Sequence, residues 1–173
     1  KLWFTAAAAK AIGSYDPADG MYYLHACTQG AMVMRGQISA VLGVPPEKIR
    51  IVAEEVGGGF GVRFNLYPEY CAALLAAKKL GRPVKWGWAR EEALIGATRR
   101  HQMTTRVKIG AKKDGTLTAL DVSVVSNAGA YGGHGGETLG AAMASPIAAY
   151  RCPNKKGIGR AVYTNMTPGG GFR

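Results

Sequence analysis

The sequence predicts an α+β fold, a mixed β-sheet with hairpins and packed helices, and three observations carry that prediction. Two turn signals, Tyr15-Asp16-Pro17-Ala18-Asp19-Gly20 and Lys112-Lys113-Asp114-Gly115, each separate alternating segments and read as hairpins. Segments of helical spacing stand between the strands, each closed by glycine or proline. The order of strands, helices and hairpins lacks the strict alternation of a doubly wound sheet.

The elements follow in order. Weak alternation from Ala6 to Ser14 leads into the first turn, and Met21 to Cys27 reads as the return strand. From Gln29 to Leu42 the apolar residues Met32, Val33, Ile38, Val41 and Leu42 recur with helical spacing, until Gly43 and Pro45-Pro46 stop the helix. Ile49 to Ala53 is a β-branched strand. Pro68 to Lys79 is rich in Ala and Leu: Pro68 suits a first helical turn, Lys78 and Lys79 suit the dipole at its end, and Gly81 closes it. Val84 to Trp88 reads as a short strand and Arg90 to Ala97 as a helical turn. The second hairpin joins Met103–Ile109 to Thr116–Ser126. Gly129 to Gly140, with six glycines, reads as a wandering loop ahead of small-residue packing at Ala141 to Ala149. Gly157 to Thr164 is again strand-like and runs into a loop from Pro168 to Arg173.

At 173 residues, with 47% hydrophobic and 19% charged residues, the chain has the content of an ordinary globular interior. Ala6-Ala7-Ala8-Ala9 is too short and too weakly apolar to span a bilayer, and no signal-peptide layout precedes it. The missing initiator Met and the abrupt stop at Gly171-Phe172-Arg173 lead to the expectation that residues 1–173 are a single fragment of a longer polypeptide. Cys27, Cys71 and Cys152 are far apart with no Cys-x-x-Cys pair, so no metal site is expected and a reducing cytoplasm is. His25, His101 and His134 have no metal-ligand spacing. The net charge of +11 admits a nucleic-acid partner, but the basic residues are dispersed along the sequence and not interleaved with aromatics, which reads against one.

The densest chemical signal is Glu54-Glu55-Val56-Gly57-Gly58-Gly59-Phe60-Gly61-Val62-Arg63, directly after a strand. Glycines so clustered mark backbone that takes positive φ or lies close to a ligand, and Phe60 is no linker residue. Neither the dinucleotide fingerprint nor a phosphate-cradling Gly-Lys-Ser/Thr loop fits the spacing. A tight structural turn and a rigid ligand-facing surface both remain open from the spacing alone. A second glycine loop ends at Phe172-Arg173, and if both loops met at one pocket, Phe60 and Phe172 would be its apolar walls and Arg173 its anion-seeking cation.

Set together, Cys27-Thr28-Gln29, Gly57-Gly58-Gly59-Phe60-Gly61, Gly81-Arg82-Pro83-Val84-Lys85-Trp86, Arg100-His101, Gly110 to Thr116, Ala128-Gly129-Ala130-Tyr131 and Phe172-Arg173 resemble the molybdenum hydroxylase family. That family includes xanthine dehydrogenases and aldehyde oxidoreductases, and the resemblance is collinear from about Tyr15 to Arg173. It implies a molybdopterin-binding part of a catalytic large subunit, which hydroxylates an aldehyde or aromatic heterocycle with oxygen from water. It further implies Gly58, Gly59, Phe60 and Gly61 against the cofactor, Arg173 as the catalytic arginine near substrate, and Phe64 in the substrate pocket. The family's purine-oxidising members tend to have Glu where Phe64 stands, so the resemblance turns away from a purine. The cofactor is implied in its mononucleotide or cytosine dinucleotide form. Iron–sulfur clusters and FAD are expected on other domains or subunits, within an oligomeric, cytoplasmic parent without nucleic-acid partner or membrane span. The family's downstream general-base Glu and the upstream glutamine that contacts the molybdenum centre are both expected to lie outside this chain, so the fragment alone is expected to be inactive. The alternative is a basic α+β binding module for a protein or nucleic-acid partner.

Overall fold

The computed structural model describes residues 10–172, which fall into two compact units, Lys1–Ala97 and Thr98–Arg173. The first unit is built on a four-stranded sheet of order β3-β2-β1-β4. Strands β1 (Lys10–Asp16) and β2 (Met21–Ala26) form the expected hairpin, in register from Ala11↔Ala26 to Asp16↔Met21. Its turn is set by aspartates: Asp16 Oδ1 accepts the Ala18 N–H at 2.9 Å and Asp19 Oδ1 that of Met21 at 2.8 Å, while Gly20 takes φ +73°.

Helix α1 (Ala31–Leu42) crosses over to β3 (Ile49–Val52), which lies parallel to β2, and Gly43 ends the helix at φ +63°. The face that α1 buries differs from the one its sequence suggests. Met34 and Ile38 are buried, with Leu42 beside them, whereas Met32 and Val41 are 68% and 63% exposed. An i, i+4 row of residues sits against the core, and the apolar residues between its members point outward.

Helix α2 (Pro68–Leu80) starts on proline, ends at Gly81 with φ +64°, and packs across β1. The unit is completed by β4 (Val84–Gly87), antiparallel to β1, and α3 (Arg90–Gly96), where Glu92 Oε2 accepts the Ala89 N–H at 2.7 Å. Leu24, Met34, Ile38, Tyr70 and Leu74 fill its core. An aromatic cluster of Tyr67, Tyr70, Trp86 and Trp88 lies along one side, with ring centroids 4.9–6.0 Å apart in edge-on geometry.

The second unit opens with β5 (Arg99–Arg100) and then the long hairpin of β6 (Gln102–Ala111) and β7 (Leu117–Gly129). Asp114 Oδ1 accepts the Thr116 N–H at 2.9 Å and Gly115 takes φ +86°, as the Asp-Gly signal predicts. Helix α4 (Gly135–Ala149) then carries the chain to β8 (Asn154–Tyr163), parallel to β7, and β9 (Gly169–Gly170) pairs with β5. The segment that reads as a wandering loop is therefore only partly one. It turns through Gly129, Tyr131, Gly132 and Gly133, all at positive φ, and is helical from Gly135.

Packing overrides the poor helix propensity of those glycines. Leu139 of α4 joins Leu120, Val122 and Val124 in the core. The helix comes close to β8 because that strand has no side chain there: a Cβ on Gly159 would stand 3.2 Å from Leu139 Cγ, and one on Gly157 2.7 Å from Met143 Cε. Among the described residues, no helix is long and apolar enough to cross a membrane.

Candidate functional site

The glycine loop leaves the end of β3 and takes a shape that most residues cannot. Gly57, Gly58 and Gly61 have φ of +63°, +97° and +86°, and Phe60 joins them at +52°. A left-handed backbone costs a residue with a Cβ about 1–2 kcal/mol, so Phe60 is held there by its surroundings. Its ring folds over Gly58, where a Cβ would lie 2.7 Å from the ring, and remains 59% exposed.

The principal brace comes from Gln29, just ahead of α1. Its Oε1 accepts the Gly61 N–H at 2.8 Å, and its backbone N–H donates to the Arg63 carbonyl at 3.1 Å. The Gln29 side chain runs directly over Gly59, where a Cβ would meet its Cγ at 1.9 Å. Gly59 is thus a glycine for close approach, and its three neighbours are glycine or strained for backbone conformation. The Arg63 N–H returns to the Gly59 carbonyl at 3.2 Å, and the Arg63 guanidinium donates to the Val56 carbonyl, closing the loop on itself.

The far side of the loop is fastened to α2. The Val62 carbonyl accepts the Tyr67 hydroxyl at 2.9 Å and the buried Asn65 amide at 3.4 Å. Phe64, half-buried in the 3-10 turn Val62–Phe64, lies near the start of α1, where a Cβ on Gly30 would stand 3.9 Å from its ring. Beneath, burial pushes the Tyr70 phenol well above its ordinary value, with Tyr67 adding to the effect, and burial likewise raises the Cys71 thiol. Tyr70 and Cys71 thus stay protonated and neutral beneath the loop, whose one charged brace among the described residues is the Arg63 guanidinium.

What the loop offers outward is a row of donors. Among the described residues, the backbone N–H groups of Gly57, Gly58, Gly59 and Phe60 donate to no protein acceptor, and neither does the Gln29 Nε2 amide. Successive N–H groups on left-handed backbone form a concave, anion-seeking surface. That donor set fits an anionic, oxygen-bearing cofactor. Among the described residues, no group of three His, Cys, Asp or Glu side chains could hold a metal ion directly.

The structure thus brings Gly58, Gly59, Phe60, Gly61 and Phe64 into one braced segment. Arg173 lies outside the described residues, and Phe172 belongs to the second unit. The sequence alone puts the upstream glutamine outside the chain, yet Gln29 is an upstream glutamine whose side chain sits on this loop. Its presence within Cys27-Thr28-Gln29 is visible in the sequence, but only the fold shows that it reaches across 32 residues.

Comparison with known proteins agrees with this geometry. A family model described as "Molybdopterin cofactor-binding domain" matches residues 7–173. The chain is 39% identical over 155 residues to a probable xanthine dehydrogenase subunit of Bacillus subtilis, covering 90% of this chain and 21% of that protein. It is 35% identical over 161 residues to the "Nicotinate dehydrogenase large molybdopterin subunit" of Eubacterium barkeri, covering 92% and 37%. The crystal structure of quinoline 2-oxidoreductase from Pseudomonas putida 86 superimposes with a TM-score of 0.84 at 27% identity, over 95% of this chain and 21% of that one. The chain thus spans between about a fifth and two-fifths of these three relatives. A donor-rich loop braced by Gln29, and a family model that runs through both units, place the chain in the molybdopterin cofactor-binding domain family of the molybdenum hydroxylases.

Proposed function

We propose that this chain is one part of the molybdopterin-binding domain in the large subunit of an oxidoreductase that hydroxylates an aldehyde or an aromatic heterocycle. The observation that carries the reading is the loop of unpartnered donors at Gly57–Phe60, held in shape by Gln29. Hydroxylation of carbon with oxygen from water, and acceptance of the two electrons, are the chemistry that the cofactor supplies when bound. The chain's own residues position and polarise. Gly58, Gly59, Phe60 and Gly61 would hold the cofactor, and the Gln29 amide would donate to it, as the family's upstream glutamine does. The exposed Phe60 ring excludes water on that side and Phe64 gives the substrate pocket an apolar wall. Arg173 is assigned to the substrate side as a fixed positive charge.

The same reading assigns the pterin in either the mononucleotide or the cytosine dinucleotide form, with iron–sulfur and flavin groups on partner subunits or domains of an oligomeric enzyme. Three free thiols fit a reducing cytoplasm. The fragment alone is assigned no turnover, because the general base lies on other residues. Metal and pterin analysis of the purified full-length protein tests the proposal. Molybdenum and pterin in equal amounts are expected, and both fall sharply in Gln29→Ala. An active protein lacking both would overturn the reading, and a tight, salt-sensitive affinity for RNA would favour a nucleic-acid-binding module instead.

A further inference from the structure

The basic residues that look dispersed along the chain are gathered by the fold. Thr98–Arg173 holds eleven of the twenty-two Lys and Arg residues but only three of the eleven Asp and Glu, so most of the excess charge belongs to the second unit. Strand register decides where that charge is shown. Leu120, Val122 and Val124 of β7 face the core with α4, and directly paired residues on neighbouring strands share a face. The alternate residues therefore line the opposite side of the β6-β7-β8 sheet. Lys108, Asp121 and Lys156 form one row across the three strands; Arg106 pairs with Ser123, and Arg160 with Val125.

Among the described residues of the second unit no helix packs on this face, since α4 lies on the core side with Gly157 and Gly159. Among the described residues, the side chains of Arg106, Lys108, Lys156 and Arg160 have neither a hydrogen-bond nor an ion-pair partner. On the same face Val125 pairs with Arg160, and Ile158 and Val162 alternate with Lys156 and Arg160 along β8; all three apolar residues remain well exposed. Exposed apolar side chains interleaved with unpaired cations suit a protein docking surface, where the charges steer and select the partner.

We propose that the open face of β6-β7-β8 docks a carboxylate-bearing surface of a partner subunit in which apolar side chains lie among the carboxylates, an assignment that rests on the multi-subunit reading above. A second copy of this chain would set cations against cations. A nucleic acid fits less well, because Asp121 lies among the cations and would repel phosphate. Nor does the face carry aromatic rings on which bases could stack.

The test uses the purified full-length protein together with its co-purifying subunits. A zero-length carbodiimide cross-linker joins lysine amines to carboxylates in contact, and mass spectrometry reads the pairs. Lys108 and Lys156 are expected to link to Asp or Glu of a second polypeptide. The double variant Arg106→Glu, Lys156→Glu is expected to weaken that subunit's affinity at least tenfold and to lower the salt at which it dissociates. The charge-conserving pair Arg106→Lys, Lys156→Arg retains it, which separates lost charge from lost folding. Links only to the chain's own carboxylates, no links at these lysines, or no co-purifying subunit would each overturn the proposal. So would tight binding of a short single-stranded RNA probe lost in the same double variant. Molybdenum analysis of the same sample reports on the functional reading separately, so failure of one is distinguishable from failure of the other.

Discussion

A Cβ placed on Gly59 would lie 1.9 Å from the Cγ of Gln29, closer than any pair of unbonded atoms can approach. The obstructing atoms belong to an exposed, flexible side chain, so Gly59→Ala displaces Gln29 and leaves the core untouched. Gly59→Ala and Gln29→Ala are each expected to shift the melting temperature little and to strip molybdenum from the full-length protein. In the Gln29→Ala background, the added methyl group at Gly59 costs almost nothing further. A double-mutant cycle on cofactor content checks this coupling.

Gly13 makes a similar approach with the opposite outcome. A Cβ there would stand 2.9 Å from the Ala73 carbonyl carbon, which is backbone of α2 and cannot swing aside. Gly13→Ala must push the helix off β1 and is expected to destabilise the first unit by about 1–3 kcal/mol. Denaturant melts measure it, and a variant as stable as the parent would contradict the packing.

The buried Tyr70 and Cys71 predict a loss of stability toward alkaline pH. Both hold their protons more tightly folded than unfolded, so their contribution is full below the unfolded values, about 10 for tyrosine and about 8.5 for cysteine. It declines as pH rises through that range, because the unfolded chain then releases protons that the folded chain retains. Tyr70→Phe and Cys71→Ala should flatten the alkaline limb of stability against pH.

Asp114 acts at the other end. Its hydrogen bond from the Thr116 N–H holds the carboxyl below its ordinary value, so its contribution is present above about pH 3.9 and lost as pH falls through the lowered value. Asp114→Ala is expected to remove that acid-side dependence from the β6-β7 turn. Amide exchange at Thr116 is the direct readout.

Phe64 carries the prediction on specificity. On the proposed reading, an aromatic at this position cannot accept the hydrogen bonds of a heterocycle's N–H groups. Phe64→Glu is expected to raise kcat/KM for a purine relative to an aldehyde by about tenfold or more. Steady-state kinetics on the full-length enzyme decide it.

Local features are legible in the sequence and the long-range ones are hidden. Gly20, Gly43, Gly81 and Gly115 announce their turns and helix ends because each needs only its own positive φ. Helix α4 reads partly as loop because Gly135, Gly136 and Gly140 argue against a helix, and its support comes from β8, which follows it. The buried face of α1 is ambiguous in the sequence because Met32 and Val41 are as apolar as Met34 and Ile38, and only the sheet selects between them. The clustering of Arg106, Lys108, Lys156 and Arg160 needs two strand pairings before it exists. At the site, the glycines are legible as unusual backbone, but the reach of Gln29 to Gly61 is not.

That reach also orders events in time. The hydrogen bond from Gly61 to Gln29 closes a circuit that runs through α1 and β3, so the loop cannot take its shape until that helix and strand are in place. An emerging chain thus carries four glycines' worth of slack, and no receptive surface, until β2, α1 and β3 have met. On the proposed reading, cofactor capture becomes a late step that inspects the finished unit, and a misfolded copy is left empty.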